Sequence, residues 1–317
     1  MTLQSSEIPS ETDAATAVRA ALGAEPRALR RFPTGLCHFV YDVELTDGRR
    51  VVARLASADN AHLLEAGVTW SALLRPRGVP LPAVLASDFH ARVIPFPFVL
   101  LERLPGVDLG VAYGELTRAD KKRIAVEIVR IQGLVHTLPA GRRFGHTTTP
   151  DDAPHASWSA VLEALLEASA PELARLELGR AQPLERVRAR LEALRPALDR
   201  VAPTPFLDDA TTKNVIVDAG RLTGIVDVDE LCYGDPLLTV GLTQMSLLHA
   251  GHDLDYTEAW MAVLALSSER RELVRLYAAL FGVGFLAELG QRFNRDAAPQ
   301  VDAAVVARLL GQLDALL

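Results

Sequence analysis

Cysteine is scarce: Cys37 and Cys232 are the only two in 317 residues. They lie far apart and without the spacing of metal ligands, which points to packing thiols in a reducing compartment. Aromatic residues make up 6% of a chain that is 49% hydrophobic, the composition of an Ala-, Leu- and Val-rich globular protein and not of a disordered one. No stretch reaches the about 18 uninterrupted apolar residues of a membrane-crossing helix. Positive charge is not in excess either. A net charge of −7 argues against a broad nucleic-acid-binding surface or a basic membrane patch. The opening MTLQSSEIPSETDA is polar and acidic with no apolar core, so we expect no secretory leader and a cytoplasmic protein. Several chemistries also lack their signatures, namely the phosphate loop closing on Gly-Lys-Ser/Thr, the dinucleotide-binding glycine pattern, His-Glu-x-x-His and Gly-x-Ser-x-Gly.

What is present concentrates in Phe206 to Pro236. Residues 214–218 and 221–227 are rich in β-branched side chains and flank Ala219-Gly220, where a glycine suits a two-residue hairpin turn. With such a loop Asp218 faces Arg221 and Asn214 faces Ile225. Asp227 then lies one diagonal step from Asn214 on the same face, about 7 to 8 Å away between Cα atoms. An amide oxygen and a carboxylate so placed can converge on one hard cation, and Mg²⁺ accepts such oxygen donors. Asp209, five residues before Asn214, sits upstream where it can orient or deprotonate an attacking hydroxyl. An Asp and an Asn at this spacing, or a hairpin with acidic ends, is commonplace by itself; the two joined and followed by Tyr-Gly-Asp-Pro form a composite signal.

The composite resembles the aminoglycoside phosphotransferase and choline kinase-like family, small-molecule kinases with a protein-kinase-like fold. Its hallmark is His-Gly-Asp-x-x-x-x-Asn, a hairpin, Ile-Asp-x-Asp and Gly-Asp-Pro. This chain offers Leu207-Asp208-Asp209, Asn214, Ile225-Val226-Asp227-Val228-Asp229 and Gly234-Asp235-Pro236. The resemblance implies Asp209 as catalytic base, Asn214 and Asp227 as Mg²⁺ ligands, ATP as phosphoryl donor and a small-molecule hydroxyl as acceptor. Leu207 and Asp208 depart from the family His and Gly. The alternative reading is a nucleotide-binding pseudokinase that regulates a partner without transferring phosphate.

The N-terminal third supplies further pieces in the expected order. Residues 39–46 alternate like a half-buried strand, Asp47-Gly48 is a turn, and residues 49–55 return. A two-residue turn there puts Arg54 opposite Tyr41 and Val52 opposite Val43 on one face, a cation beside an apolar floor. The resemblance gives Arg54 the phosphate-binding role of the kinase lysine and Glu65 the role of its helix partner. Glu65 belongs to a helix over 60–74, capped by Asn60. Gly35 and Leu36-Cys37-His38 stand where the family covers the phosphates. Residues 97–104, ending in Glu102-Arg103-Leu104, read as a buried strand entering a hinge, whose backbone in the family hydrogen-bonds adenine; Val52, Glu102 and Leu104 are the corresponding nucleotide contacts.

Beyond the hinge the pattern is helical: a helix over 117–138 carrying Ile124, Ile128, Ile131, Leu134 and Val135, then amphipathic helices over 157–168, 171–178 and 183–201. Asp235-Pro236 starts another, and three more cover about 256–266, 268–295 and 302–316. Glu230, Asp253, Asp255 and Glu258 are acids that could face a cationic acceptor, though acids at helix starts are common. His249 and His252 read as structural. The expected architecture is α+β and bilobal: residues 1–103 form a nucleotide-binding lobe with an antiparallel sheet and one main helix, and residues 104–317 form a larger, mostly helical lobe carrying the catalytic hairpin.

Overall fold

The computed structural model describes residues 8–32, 37–150, 152–176, 182–293 and 298–317. The N-terminal lobe comprises α1 (Glu11–Leu22), β1 (Pro26–Arg31), β2 (Phe39–Leu45), β3 (Arg50–Leu55), α2 (Ala61–Leu74), β4 (Val84–Asp88) and β5 (Phe98–Glu102). Its strands form one antiparallel sheet in the order β1-β2-β3-β5-β4. Helix α1 adds a second helix to the one expected. Its sequence signal is a capping box, in which Ser10 and Asp13 satisfy each other's backbone amides ahead of the apolar Ala14, Ala17 and Val18. Those three residues pack on Tyr41, Val43, Val51 and Ala53, one face of the sheet.

The β2–β3 register differs from the expected one by a residue. Thr46, Asp47 and Gly48 form a three-residue loop, with Leu45 N–H donating to Arg49 O and Gly48 at φ +86°. Arg54 therefore opposes Val40, and Val52 opposes Asp42. Because side chains alternate across a strand, the shift separates Arg54 from Tyr41: Tyr41 faces α1, while Val52 and Arg54 share the opposite face.

The C-terminal lobe continues with β6 (Val107–Asp108), α3 (Leu109–Ala112), α4 (Arg118–Val135), β7 (Gly145–Thr147), α5 (Trp158–Arg175), α6 (Gln182–Leu198), β8 (Thr204–Phe206), β9 (Val215–Asp218), β10 (Arg221–Ile225), β11 (Leu231–Gly234), α7 (Leu237–Ala250), α8 (Asp255–Val263), α9 (Ser268–Glu288) and α10 (Ala303–Leu316). Helix α4 opens with a Thr117–Asp120 capping box and buries Ile124, Ile128, Ile131 and Val135 as its spacing requires. Pro171 does not divide α5, which runs through it, so the helices expected over 157–168 and 171–178 are one; Leu178 lies outside the described residues. Helix α9 stops at Glu288 and residues 289–293 are not helical; residue 295, the expected end, lies outside the described residues. No helix among the described residues is long and apolar enough to cross a membrane.

Two three-stranded sheets frame the loop between β8 and β9. One has the order β10-β9-β6 and the other β7-β11-β8. In the first, a bulge at Thr223 shifts the hairpin, so Ile225 opposes Val215, not Asn214, and Val226 N–H bonds the Asn214 carbonyl instead.

The Gly-Asp-Pro segment is structural. A Cβ on Gly234 would lie 2.1 Å from the Trp158 ring, so only glycine lets β11 pass that close to α5. Asp235 is 1% exposed and accepts from Arg270 Nη2 and the Tyr277 hydroxyl, each at 2.9 Å, and from the Leu237 amide. Tyr277 in turn accepts from Trp158 Nε1 at 2.9 Å. The chain Trp158–Tyr277–Asp235–Arg270 ties α5 and α9 to the start of α7. Replacing Tyr277 by Phe removes one donor from Asp235 and leaves the Trp158 N–H unpaired, so it should destabilise the fold by about 1–3 kcal/mol. An unchanged urea midpoint would remove this chain from the account of stability.

Candidate active site

The loop between β8 and β9 is gripped by buried side chains. Gln132 of α4 donates from Nε2 to the Leu207 carbonyl at 2.7 Å and accepts the Leu207 N–H at 3.0 Å, while the Thr239 hydroxyl donates to the same carbonyl at 2.8 Å. The residue standing for the family His is thus held by its backbone, and its own side chain is only 3% exposed in the core. Its neighbour Asp208 pairs with His146 Nε2 at 3.0 Å.

The structure brings Asp209 and Asn214 into direct contact. Asn214 Nδ2 donates to both the carbonyl and Oδ2 of Asp209, each at 2.9 Å, and the Thr211 hydroxyl donates to Oδ1. Carboxylate and carbonyl oxygens only accept here, so the Asn214 amide orientation is fixed, and its Oδ1 takes no hydrogen bond from the described residues. Although part of Asp209 faces solvent, burial of its carboxyl, reinforced by the charges of Asp208 and Asp227, pushes its pKa up to about 7, against the pull of Thr211 and Lys213. It is therefore a stronger base than an ordinary carboxylate.

Asp227 follows the hairpin at φ +62°, a left-handed conformation uncommon for non-glycine residues but tolerated by Asp. Its carboxylate meets the N-terminal lobe: Arg54 Nη2 donates to Asp227 Oδ1 at 2.6 Å, and the same guanidinium forks onto Asp229 at 2.7 and 2.9 Å. His38 Nε2 lies 2.8 Å from Asp229 Oδ2, the oxygen that also accepts from Arg54 Nη2. Burial alone would raise the Asp229 carboxyl, but Arg54 and His38 outweigh it and hold it well below the carboxylate range. Burial likewise works against the Arg54 charge, but the two carboxylates outweigh it and hold its pKa above the ordinary arginine value.

The expected Arg54–Glu65 pair is not formed. Glu65 is exposed on α2, whose inward face carries Leu64, Gly67, Val68 and Ser71. A Cβ on Gly67 would stand 2.6 Å from Asp229 Oδ1, so α2 presses directly on the segment that supplies the partners of Arg54. Asn60 does not cap α2 with its side chain; it donates instead to the Cys37 carbonyl at 3.2 Å. Gly35 and Leu36 lie outside the described residues.

At the hinge, Glu102 turns its carboxylate to the Ala83 amide at 3.1 Å, and its own N–H bonds the Ala83 carbonyl. The Leu104 carbonyl accepts from Arg103 Nη1 at 2.8 Å, and the Leu104 side chain covers Gly224 of β10. A pocket of about 40 Å³ lies between α2, β5 and residues 225–229, with Arg54 in its wall; Val52, Glu102 and Leu104 do not line it. A cavity of about 690 Å³ lies among α7, α8, α9 and α10 and is lined by none of residues 207–214.

Three of the four candidate acids are already engaged. Asp253 pairs with Lys121 at 2.7 Å and receives the Tyr113 hydroxyl, Asp255 pairs with Arg118, and Glu258 pairs with Arg271. Glu230 is exposed beside His146. His249 packs edge-on against Phe285, and His252 lies against Tyr113.

Sequence reading misses Asp229 as the main partner of Arg54, and it misses His146, Gln132 and Thr239. Of these, Gln132 leaves a signal, being a polar residue between Ile128, Ile131 and Val135 on the buried stripe of α4.

A family model described as Phosphotransferase enzyme family matches residues 28–277. No curated protein matches the sequence. Among solved structures, a GDP complex of an aminoglycoside 2'-phosphotransferase-IIIa variant superimposes with a TM-score of 0.69 at 18% identity, over 95% of each chain. A thermostable aminoglycoside phosphotransferase APH(4)-Ia in ternary complex with AMP-PNP and hygromycin B gives 0.65 at 16% identity, over 96% of this chain and 97% of the other. A putative fructosamine-3-kinase from Thermobifida fusca YX-ER1 gives 0.63 at 19% identity, over 97% and 99%. At these identities the likeness is one of fold, the bilobal kinase-like one.

Replacing Gln132 by Leu keeps the size of the side chain and strands the buried Leu207 N–H. Its expected cost is about 1–3 kcal/mol in chemical denaturation, and a wild-type midpoint would show that the loop does not depend on this grip.

Proposed function

Because the chain belongs to the phosphotransferase enzyme family, we propose that it transfers the γ-phosphate of ATP, in a Mg²⁺-dependent reaction, to a hydroxyl group of a small molecule. The observation that carries this reading is the division of labour in Asn214. Both of its amide hydrogens serve Asp209, which leaves Oδ1 free to join the Asp227 carboxylate as a pair of oxygen donors of the kind Mg²⁺ takes. Asn214 and Asp227 would hold the ion. Mg²⁺, when bound, supplies charge neutralisation at the phosphate oxygens.

In this reading the chain's own groups position and polarise. Asp209 orients the acceptor hydroxyl and takes its proton. The hydrogen bond that Asp209 accepts from Asn214 keeps it at the proposed ion site, which supports catalysis over a purely regulatory, nucleotide-binding role. Arg54 offers a planar fork of donors and would exchange part of its hold on Asp227 for phosphate oxygens. Val52 shares a sheet face with Arg54 and would floor the nucleotide; the backbone at Glu102 and Leu104 would meet the base. Glu65, without contact to Arg54, would act at most from the rim. Residues 1–103 would carry the nucleotide and residues 104–317 the acceptor. The reading needs no nucleic-acid or membrane partner and goes with a cytoplasmic location.

Asp209→Asn should reduce kcat by about 10²- to 10⁴-fold while nucleotide affinity stays within a few-fold, measured by coupled assay against a panel of hydroxylated acceptors and by calorimetry. Turnover at the wild-type rate would reject Asp209 as the base. Asp227→Asn should weaken binding of the nucleotide only when Mg²⁺ is present; equal loss with and without the metal would remove Asp227 from the ion site.

A further inference from the structure

Leu207 and Asp208 occupy the places of the His and Gly in the resembled motif, yet the structure still puts an imidazole against this loop. It comes from another strand. In the β7-β11-β8 sheet His146 opposes Cys232, and Cys232 opposes Phe206, so all three lie in one row across the strands. From there His146 reaches the residue two places beyond Phe206, with Nε2 3.0 Å from Asp208 Oδ2. Both partners are largely enclosed, at 29% and 21% side-chain exposure.

We propose that His146 is a positioning residue for phosphoryl transfer, fixing the reactive loop through Asp208 from outside that loop's sequence. The inference rests on the phosphotransferase reading of the same loop. Its physical basis is the pair of adjacent acids. An unpartnered Asp208 carboxylate would repel Asp209 and would be free to change rotamer, taking the first residue of the loop with it. Bound to an imidazolium on a hydrogen-bonded strand, it has one position. Gln132 and Thr239 hold the backbone at Leu207, so the His146 contact supplies the second point that prevents rotation about the first.

The charges facing His146 come from two connections: Asp208 and Asp209 after β8, and Glu230 before β11. Burial opposes the charged ring, and Asp208 foremost among these acids outweighs it, so its pKa is raised. A raised imidazole pKa means the clamp is complete below the ordinary His value and weakens as pH climbs through the raised one.

The test uses the full chain labelled with ¹³C at histidine, together with steady-state kinetics. In the unmodified protein the His146 resonance should titrate above the ordinary His midpoint, and Asp208→Asn should lower that midpoint by about one pH unit or more. His146→Ala should lower kcat by about 10- to 100-fold with nucleotide Kd and acceptor KM little changed, and His146→Gln, which retains a donor, should recover part of the loss. In a Leu207→His/Asp208→Gly background, which restores the family pattern, His146→Ala should have no further effect. Equal loss in both backgrounds, or a His146 midpoint indifferent to Asp208→Asn, overturns the inference while leaving the functional reading intact. Failure of the unmodified protein to phosphorylate any hydroxyl acceptor overturns both.

Discussion

One buried guanidinium couples the two lobes electrostatically, alongside the apolar seat of Ala66, Trp70 and Leu74 of α2 in the main core and the Ile225 N–H bond to the Pro80 carbonyl. Arg54, in the middle of the N-terminal sheet, is neutralised by two carboxylates that belong to the other lobe, and one of these also engages His38. A charge with 11% of its side chain exposed would be costly without partners, and supplying them from across the cleft makes lobe orientation a condition for burying it. Other features follow. Helix α2 has a glycine where it meets Asp229, Asp227 leaves the hairpin in a left-handed conformation, and Glu65 stands in solvent, taking no part in satisfying the guanidinium.

The loop between β8 and β9 is built on a complementary principle. Its polar groups are bound by residues far away in sequence: Gln132 from α4, Thr239 from α7 and His146 from β7. Backbone contacts at Leu207 do not depend on the side chain there, so an apolar residue can replace a histidine without releasing the loop. The acid–amide contact between Asp209 and Asn214 is local, closing over five residues.

This contrast explains what could be read from the linear chain. The Asp209–Asn214 pairing is legible because both residues lie on one short loop, and the helix over 118–135 is legible because its isoleucines repeat at helical spacing. Hairpin registers are less so: Thr46-Asp47-Gly48 closes as three residues and Thr223 bulges, and each shifts the pairing by one. The partner of Arg54 is illegible because several acids satisfy the same electrostatics, and only the close seat of α2 at Gly67 selects Asp229. Pro171 misleads in the other direction, since a helix can run through a proline when tertiary packing on α9 compensates.

Strands β7 and β8 both pair with β11, so the long excursion that carries α5 and α6 leaves and returns at the same ladder. Its two ends are fastened independently of what lies between them. The helices between those ends are nonetheless set in the main core, where Trp158, Val161, Leu162, Val187 and Leu191 are buried and Trp158 fills the notch over Gly234. Changes of length are therefore tolerated at modest loop-closure entropy only outside those buried faces.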